Sequence, residues 1–244
     1  MRQLKVLVAC EESQRVCTAF RELGHEAYSA DIQEPSGGHP EWHIHGDVLQ
    51  ILNPEEMFWI DSFVHQIVFQ TMDGEIHVIG KWDLIIAHPP CTYLSNAGAR
   101  WLYKDIDGKT YIERERFEKG MDGKEFFMQF LNAECQHIAV ENPIPSAVYR
   151  MPPYTQVIQP FEYGHPYSKK TCLWLKGLPK LKPTALITDY KPYCTSGSYT
   201  KTHDERYKGA SRRGGSAKSR SKTFEGIAQA IAEQYSAAIL SEEG

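Results

Sequence analysis

The fold of this chain is decided by residues Trp82–Gly98, which read WDLIIAHPPCTYLSNAG. The first half is a short apolar run, rich in leucine and isoleucine, that is typical of a strand buried on both faces. Two prolines then end the strand because neither has an N–H to donate. Cys91 follows at the carboxyl end of the strand, where open α/β sheets bind their ligands. The stretch predicts a rigid turn that presents a thiol as a nucleophile, although most lone cysteines are small structural hydrophobes.

Composition predicts one soluble domain over residues 1–244. The chain has 244 residues, 41% of them hydrophobic, which is enough for one sizeable core. A net charge of -4 gives no overall electrostatic case for nucleic-acid binding, so any such case depends on local patches. Six cysteines without a C-x-x-C pair suggest neither a zinc site nor a disulfide framework. No apolar run reaches membrane-spanning length and the start lacks a signal-like segment, so we expect a cytoplasmic location.

The opening of the chain predicts a βαβ unit. A strand over 4–9 is followed by a helix for which Ser13 is the expected N-cap and Gly24 the expected C′ residue. A second strand ends at Asp31. This succession within about 30 residues predicts a sheet that is at least partly parallel. An acid at the end of the second strand is where nucleotide-binding folds hold ribose hydroxyls, although an aspartate exposed in a turn is an equal alternative.

The later elements follow from turn signals and periodicity. Glu141-Asn142-Pro143 ends a buried strand, so a second polar group lies at a strand's carboxyl edge. The other expected elements are a helix opening at Asn53-Pro54, a hairpin insertion over 65–80, a mobile loop over 100–110, a helix over 113–133, strands over 157–163 and 171–175, an irregular basic segment over 180–223 and a closing helix over 224–239.

Several of these stretches resemble motifs of the cytosine-C5 DNA methyltransferases. Pro-Pro-Cys followed by Ser-x-Ala-Gly resembles motif IV, with Thr92 for Gln and Leu94 for Phe. Glu141-Asn142-Pro143 resembles motif VI, Glu-Asn-Val. The stretch from Gly164 resembles motif VIII, with Lys169 in place of an arginine. Gly46-Asp47-Val48 resembles motif III, and the closing helix occupies the position of motif X.

The resemblance implies a fold and a set of site residues. The implied fold is a Rossmann-like S-adenosylmethionine-dependent methyltransferase fold, α/β, with a mostly parallel sheet and an antiparallel strand near one edge. The implied catalytic residues are Cys91, Glu141, Lys169, Pro90 and Asn142. The implied cofactor-binding residues are Cys10, Glu11, Ser13, Asp31, Ile32, Asp47, Val48 and Pro89. No metal ligands are implied.

The implied reaction transfers a methyl group from S-adenosylmethionine to C5 of cytosine in DNA. A thiolate of Cys91 adds to C6 of the ring and converts C5 into an enamine carbon. Glu141, with a pKa raised by a partly dry site, relieves the charge that develops at N3. Lys169 or Lys170 favours the thiolate or holds a phosphate. A duplex substrate is flipped out, and the basic stretch 206–222 contacts phosphates. By association, so compact an enzyme suits a phage or mobile element.

Two departures from the family leave alternatives open. The first motif reads Ala9-Cys10-Glu11-Glu12-Ser13 and lacks glycine, so cofactor binding is open, with Glu11 as one partner for the methionine ammonium. About fifty irregular residues replace a target-recognition domain. The same chemistry on single-stranded DNA or a free pyrimidine nucleotide needs no such domain. A catalytically inactive nucleic-acid-binding relative is another alternative. Thymidylate synthases share Pro-Pro-Cys, but their Pro-Pro-Cys-His and Arg-Ser-x-Asp strings are absent.

Overall fold

The computed structural model describes residues 2–59, 62–99, 101–193 and 217–242. The strands are β1 (Lys5–Ala9), β2 (Glu26–Asp31), β3 (His43–His45), β4 (Glu55–Trp59), β5 (Ser62–Gln70), β6 (Ile76–Ile79), β7 (Leu84–Ala87), β8 (Tyr103–Ile106), β9 (Lys109–Ile112), β10 (His137–Pro143), β11 (Gln156–Ile158), β12 (Tyr167–Ser168), β13 (Thr171–Lys176) and β14 (Lys191–Pro192). The α-helices are α1 (Arg15–Glu22), α2 (Asn96–Ala99), α3 (Arg114–Leu131), α4 (Ala217–Ser221) and α5 (Glu225–Ser241).

A seven-stranded sheet organises the fold in the order β11-β13-β10-β7-β1-β2-β3. The five strands from β10 to β3 pair in parallel, whereas β13 runs antiparallel to both β10 and β11. The chain is therefore a mixed α/β protein with a mostly parallel sheet and an antiparallel strand near one edge. Strand order reverses between β1 and β7, and the carboxyl ends of such a pair form the crevice in which open α/β sheets bind ligands.

Side chains alternate along each strand, and those on both faces of the sheet are covered by other elements. Leu7 and Ala9 of β1 belong to a core cluster that includes Phe127 and Phe130 of α3. Residues of β5 and β6 extend the same cluster. On the other face, Val6 and Val8 pack with α1 and α5. The closing helix thus packs beside the first helix. Two-sided burial explains why the central strands read as continuous apolar runs.

The N-terminus of α1 differs from the sequence expectation. The helix begins at Arg15, and the residue before it, Gln14, has a left-handed φ of 57°. Ser13 does not cap the helix. The Glu11 carboxylate instead accepts hydrogen bonds from Val16 N at 2.7 Å and from the next amide at 3.1 Å. A carboxylate therefore satisfies the first free amides of the helix. Gly24, with φ of 83°, follows the helix as expected.

Two further expectations are wrong. Asn53-Pro54 does not open a helix, because the residues after it form β4, which pairs antiparallel with β5. The stretch predicted as a mobile loop contains the hairpin β8–β9. Its two turn residues, Asp107 and Gly108, have φ of 51° and 74°, the left-handed conformation that a tight hairpin turn needs.

The hairpin expected over 65–80 corresponds to β5 and β6, which pair antiparallel. Most of the expected basic segment, residues 194–216, lies outside the described residues. Within the described ranges, none of the helices combines the length and the apolar character that crossing a bilayer requires.

Candidate active site

The Pro-Pro-Cys loop and the Glu-Asn-Pro segment lie side by side at the carboxyl edge of the sheet. Asn142 Nδ2 donates to the carbonyl of Pro89 at 3.0 Å, and the Asn142 side chain is buried. Two backbone bonds continue the contact, from Asn96 N to Ile144 O at 3.0 Å and from Ser146 N to Leu94 O at 2.7 Å. The two segments are therefore one rigid unit, in which Asn142 positions the loop that carries Cys91.

The Glu141 carboxylate pairs with a histidine that the sequence analysis did not single out. His88 Nδ1 lies 3.0 Å from Glu141 Oε2, and the two side chains are only 10% and 18% exposed. Burial alone would raise the pKa of Glu141. The hydrogen bond and charge of His88, together with the charge of Lys169, outweigh burial and lower that pKa. The expectation of a raised pKa is therefore wrong.

The pKa of His88 moves in the complementary direction. Burial disfavours the imidazolium, but the hydrogen bond to Glu141 and the charges of Glu141 and Glu11 outweigh it, so the pKa of His88 is raised. Each of the two groups therefore favours the charged form of the other.

Lys169 joins this pair in a small, partly open cavity. His88, Glu141 and Lys169 all line it, and its volume of about 20 Å³ holds a single water molecule. Such a water suits His88 Nε2, which is buried and has no hydrogen-bond partner among the residues that the structure describes. Cys91 does not line this cavity.

Residues 220–223, which we call the strap, pass beside the cavity, and Ser221 and Thr223 line it. Lys169 Nζ donates to the carbonyl of Arg220 at 2.7 Å. An Arg15 guanidinium N–H donates to the carbonyl of Thr223, also at 2.7 Å. Lys222 Nζ lies 2.8 Å from Ser36 Oγ. The strap is thus attached at three points around the mouth of the site.

Cys91 is half-buried on the loop between β7 and α2. Its carbonyl accepts a hydrogen bond from Ser95 N at 3.0 Å, which closes the turn before α2. A Cβ placed on Gly98 would come much closer than 3.0 Å to the carbonyl oxygen of Thr92. The glycine of the Ser-x-Ala-Gly string therefore permits a close contact between α2 and the backbone next to the thiol. Pro90 is exposed, whereas Pro89 is buried.

Three of the predicted cofactor residues meet at the ends of β1, β2 and β3. The pKa of the Cys10 thiol is raised by burial and then by the nearby Asp31 and Asp47 carboxylates. Each aspartate also accepts a backbone N–H in its own turn. Ile32, directly after Asp31, is 75% exposed, whereas Val48 is buried. This edge therefore presents carboxylates beside an exposed apolar side chain.

The β1–α1 turn is arranged differently. Both oxygens of Glu11 bind α1 amides, and burial raises its pKa. Ser13 is buried beneath Gly37, where a Cβ would come closer than 3.0 Å to the turn. Glu12, which the sequence analysis did not assign, is buried, with Oε1 lying 4.0 Å from Lys222 Nζ.

These groups fit S-adenosylmethionine in part. Carboxylates at the ends of β2 and β3 suit ribose hydroxyls and the adenine amino group, and Ile32 offers a surface for the ring. The buried Glu12 carboxylate lies 4.0 Å from the Lys222 ammonium. A carboxylate is also the group that would bind the ammonium of the amino-acid end of the cofactor. Each oxygen of Glu11 already accepts one α1 amide, so a cofactor ammonium at Glu11 would share those oxygens with the helix.

No protein-family profile matches the chain, and no curated protein does. Among solved structures the chain is similar to one described as the methyltransferase EhMeth of Entamoeba histolytica, with 14% identity and a TM-score of 0.39. The similarity covers 80% of this chain, which spans 61% of the length of that protein.

Proposed function

We propose that this chain transfers a methyl group from S-adenosylmethionine to C5 of cytosine in DNA, through an adduct between Cys91 and C6 of the ring. The proposal adopts a Rossmann-like methyltransferase fold for the chain. DNA as the substrate and cytosine as the target base are parts of the proposal.

One observation carries it. Asn142 ties the Glu-Asn-Pro segment to Pro89, two residues before Cys91, by a hydrogen bond of 3.0 Å. The thiol and the Glu141 carboxylate are thereby held on adjacent segments at the carboxyl edge of β7 and β10, beside the point at which strand order reverses. A nucleophile and an acid delivered to one edge of such a sheet are what addition to a pyrimidine ring requires.

The chain's own residues would act as follows. The Cys91 thiolate forms a bond to C6, and the ring electrons move towards N3. Glu141, after taking up a proton from water when substrate binds, donates it or a hydrogen bond at N3 and so stabilises the charge that develops there. When bound, S-adenosylmethionine supplies the electrophilic methyl group. Loss of the C5 proton to water then allows the thiolate to leave C6.

The proposed reaction requires the strap to move. A cavity of about 20 Å³ admits a water molecule but not a pyrimidine ring. Lys169 and Arg15 each hold the strap by one hydrogen bond to a backbone carbonyl. Displacement of the strap would release the Lys169 ammonium, which could then bind a phosphate of the substrate.

The experiment incubates the chain with methyl-labelled S-adenosylmethionine and three substrates: duplex DNA, single-stranded DNA and deoxycytidine nucleotides. We expect label at C5 of cytosine in DNA, and a covalent complex with DNA that contains 5-fluorocytosine. The Cys91→Ser variant is the matched control and should yield neither product.

The outcomes separate the alternatives. Label on the free nucleotide and none on DNA would reject DNA as the substrate while retaining the chemistry. Absence of label on every substrate, together with retention of DNA in a gel, would reject the enzyme in favour of a nucleic-acid-binding protein.

A further inference from the structure

We propose that His88 is a positioning residue for Glu141: its Nδ1–H holds Glu141 Oε2 and stabilises the carboxylate that remains after a proton passes from Glu141 to the substrate ring. This inference rests on the proposed function for the identity of the proton acceptor. The pairing itself rests on geometry alone.

The geometry fixes which atoms are engaged. Nδ1 of His88 and Oε2 of Glu141 are 3.0 Å apart, so one carboxyl oxygen is committed to the imidazole. The other oxygen, Oε1, remains for a substrate. The backbone holds the imidazole in place, because His88 N donates to Ala9 O at 2.9 Å. His88 thus lies at the switch point between β1 and β7, facing β10.

In the described part of the chain, three titratable groups surround the pair, and they come from the β1–α1 turn, the residues before β13, and β13 itself. The Glu11 carboxylate of the β1–α1 turn raises the pKa of His88, and the Lys169 ammonium opposes it. Lys169 also favours the carboxylate form of Glu141. On β13, the thiol of Cys172 has its pKa raised to about 12 by burial and by Glu141, so it stays protonated. His88 is therefore the hydrogen-bonded partner of Glu141, and Lys169 a more distant one.

The proton balance follows from this arrangement. Glu141, a carboxylate before substrate binds, takes up a proton from water on Oε1 when substrate enters, and donates it to N3 of the ring as the bond between Cys91 and C6 forms. The carboxylate left behind keeps the hydrogen bond from His88 Nδ1–H, which retains its proton throughout. When the thiolate leaves, N3 returns the proton to Oε1. His88 makes Glu141 a stronger acid, which favours the forward transfer.

The test measures the protonation of Glu141 directly in the full chain. Glutamate labelled with ¹³C at the carboxyl carbon is titrated by NMR, and the Glu141→Gln variant identifies the signal. Without the imidazole, burial is the dominant influence, so His88→Ala should raise the proton affinity of Glu141 about tenfold or more. His88→Asn places an amide N–H near the Nδ1 position and should restore most of the difference, whereas His88→Gln places it near Nε2 and should not.

A second readout is the pH profile of methyl transfer. In His88→Ala the descending limb should move to higher pH while the maximal rate falls, whereas a purely structural defect would lower the rate without moving the limb. An unchanged Glu141 titration in a folded His88→Ala or His88→Gln variant overturns the inference. If the titration responds but the wild-type chain transfers no methyl group, the pairing stands and the proposed function fails.

Discussion

Replacing Gly98 by alanine tests whether the close contact of α2 with the Pro-Pro-Cys loop positions the thiol. The added Cβ would overlap the carbonyl oxygen of Thr92, so α2 and the loop must separate by about 1 Å. Overpacking of this kind costs about 1–3 kcal/mol, against a helix-propensity gain of up to about 1 kcal/mol. Since Thr92 adjoins Cys91, the thiol moves with the loop. A displacement of about 1 Å can reduce a rate by about 100-fold.

Under the proposed function, the assay compares methyl transfer to DNA by the Gly98→Ala and wild-type chains, and urea unfolding is measured for both. Gly80→Ala is the control, because a Cβ there meets nothing within 4 Å and the backbone φ is not in the left-handed region. We expect activity to fall by about 100-fold with a loss of about 1–2 kcal/mol in unfolding free energy. Wild-type activity and stability in Gly98→Ala would refute the reasoning, because the clash leaves no unmoved position for the loop.

Three further predictions follow from the structure. Cys91→Ser should abolish the 5-fluorocytosine adduct while leaving the urea midpoint unchanged, because the side chain is half-buried and the change is nearly isosteric; a lowered midpoint would contradict this. Within α3, Gly120→Ala should destabilise the chain because the added Cβ would overlap the Tyr149 ring. Gly123→Ala should stabilise it by up to about 1 kcal/mol, because alanine has the higher helix propensity and its Cβ meets only ordinary contacts. Midpoints of thermal unfolding that shift in the same direction for both variants would contradict this packing. Burial raises the pKa of Glu11, so the folded chain keeps that proton to higher pH than the unfolded chain does. The contribution of Glu11 to the unfolding free energy should therefore fall as pH rises above about 4.5. Glu11→Gln should remove this part of the pH dependence of the unfolding free energy measured in urea, and an unchanged pH dependence would refute the prediction.

Sequence reasoning worked where one local signal coincided with the tertiary fold. The strand ending at Ala87 and the strand ending near Glu141 are each apolar and closed by proline, so pattern and burial agree. The antiparallel strand near the edge was expected only from the family resemblance, because antiparallel pairing leaves no mark in β13 itself.

The errors have identifiable causes. Asn53-Pro54 carries a helix-start signal, but pairing with β5 overrides it. The hairpin β8–β9 could have been found, because Asp107-Gly108 is the dipeptide that two-residue turns favour. Ser13 is a good N-cap by residue type, yet the side chain that reaches the α1 amides is Glu11, and only the left-handed turn at Cys10 and Gln14 brings it there.

His88 shows what a motif cannot reveal. The resemblance to motif IV begins at Pro89, so the residue before it had no assigned role, and its partner lies 53 positions later. Only the parallel pairing of β7 with β10, which sets Ala87 opposite Val140, brings the two side chains together. The sequence could therefore predict that titratable groups gather at the carboxyl edge of the sheet, but not that His88 pairs with Glu141.

Lys169 connects the His88–Glu141 pair to the strap. Its ammonium donates to Arg220 while its charge also favours the Glu141 carboxylate. Under the proposed function, a substrate phosphate that drew Lys169 away would weaken the strap's attachment and remove a charge that keeps Glu141 deprotonated. Opening the site would admit the ring, and loss of the Lys169 charge would let Glu141 take up the proton that it later donates; His88 acts at the later step, the release of that proton to the ring. Substrate binding would thus protonate Glu141 as it opens the site.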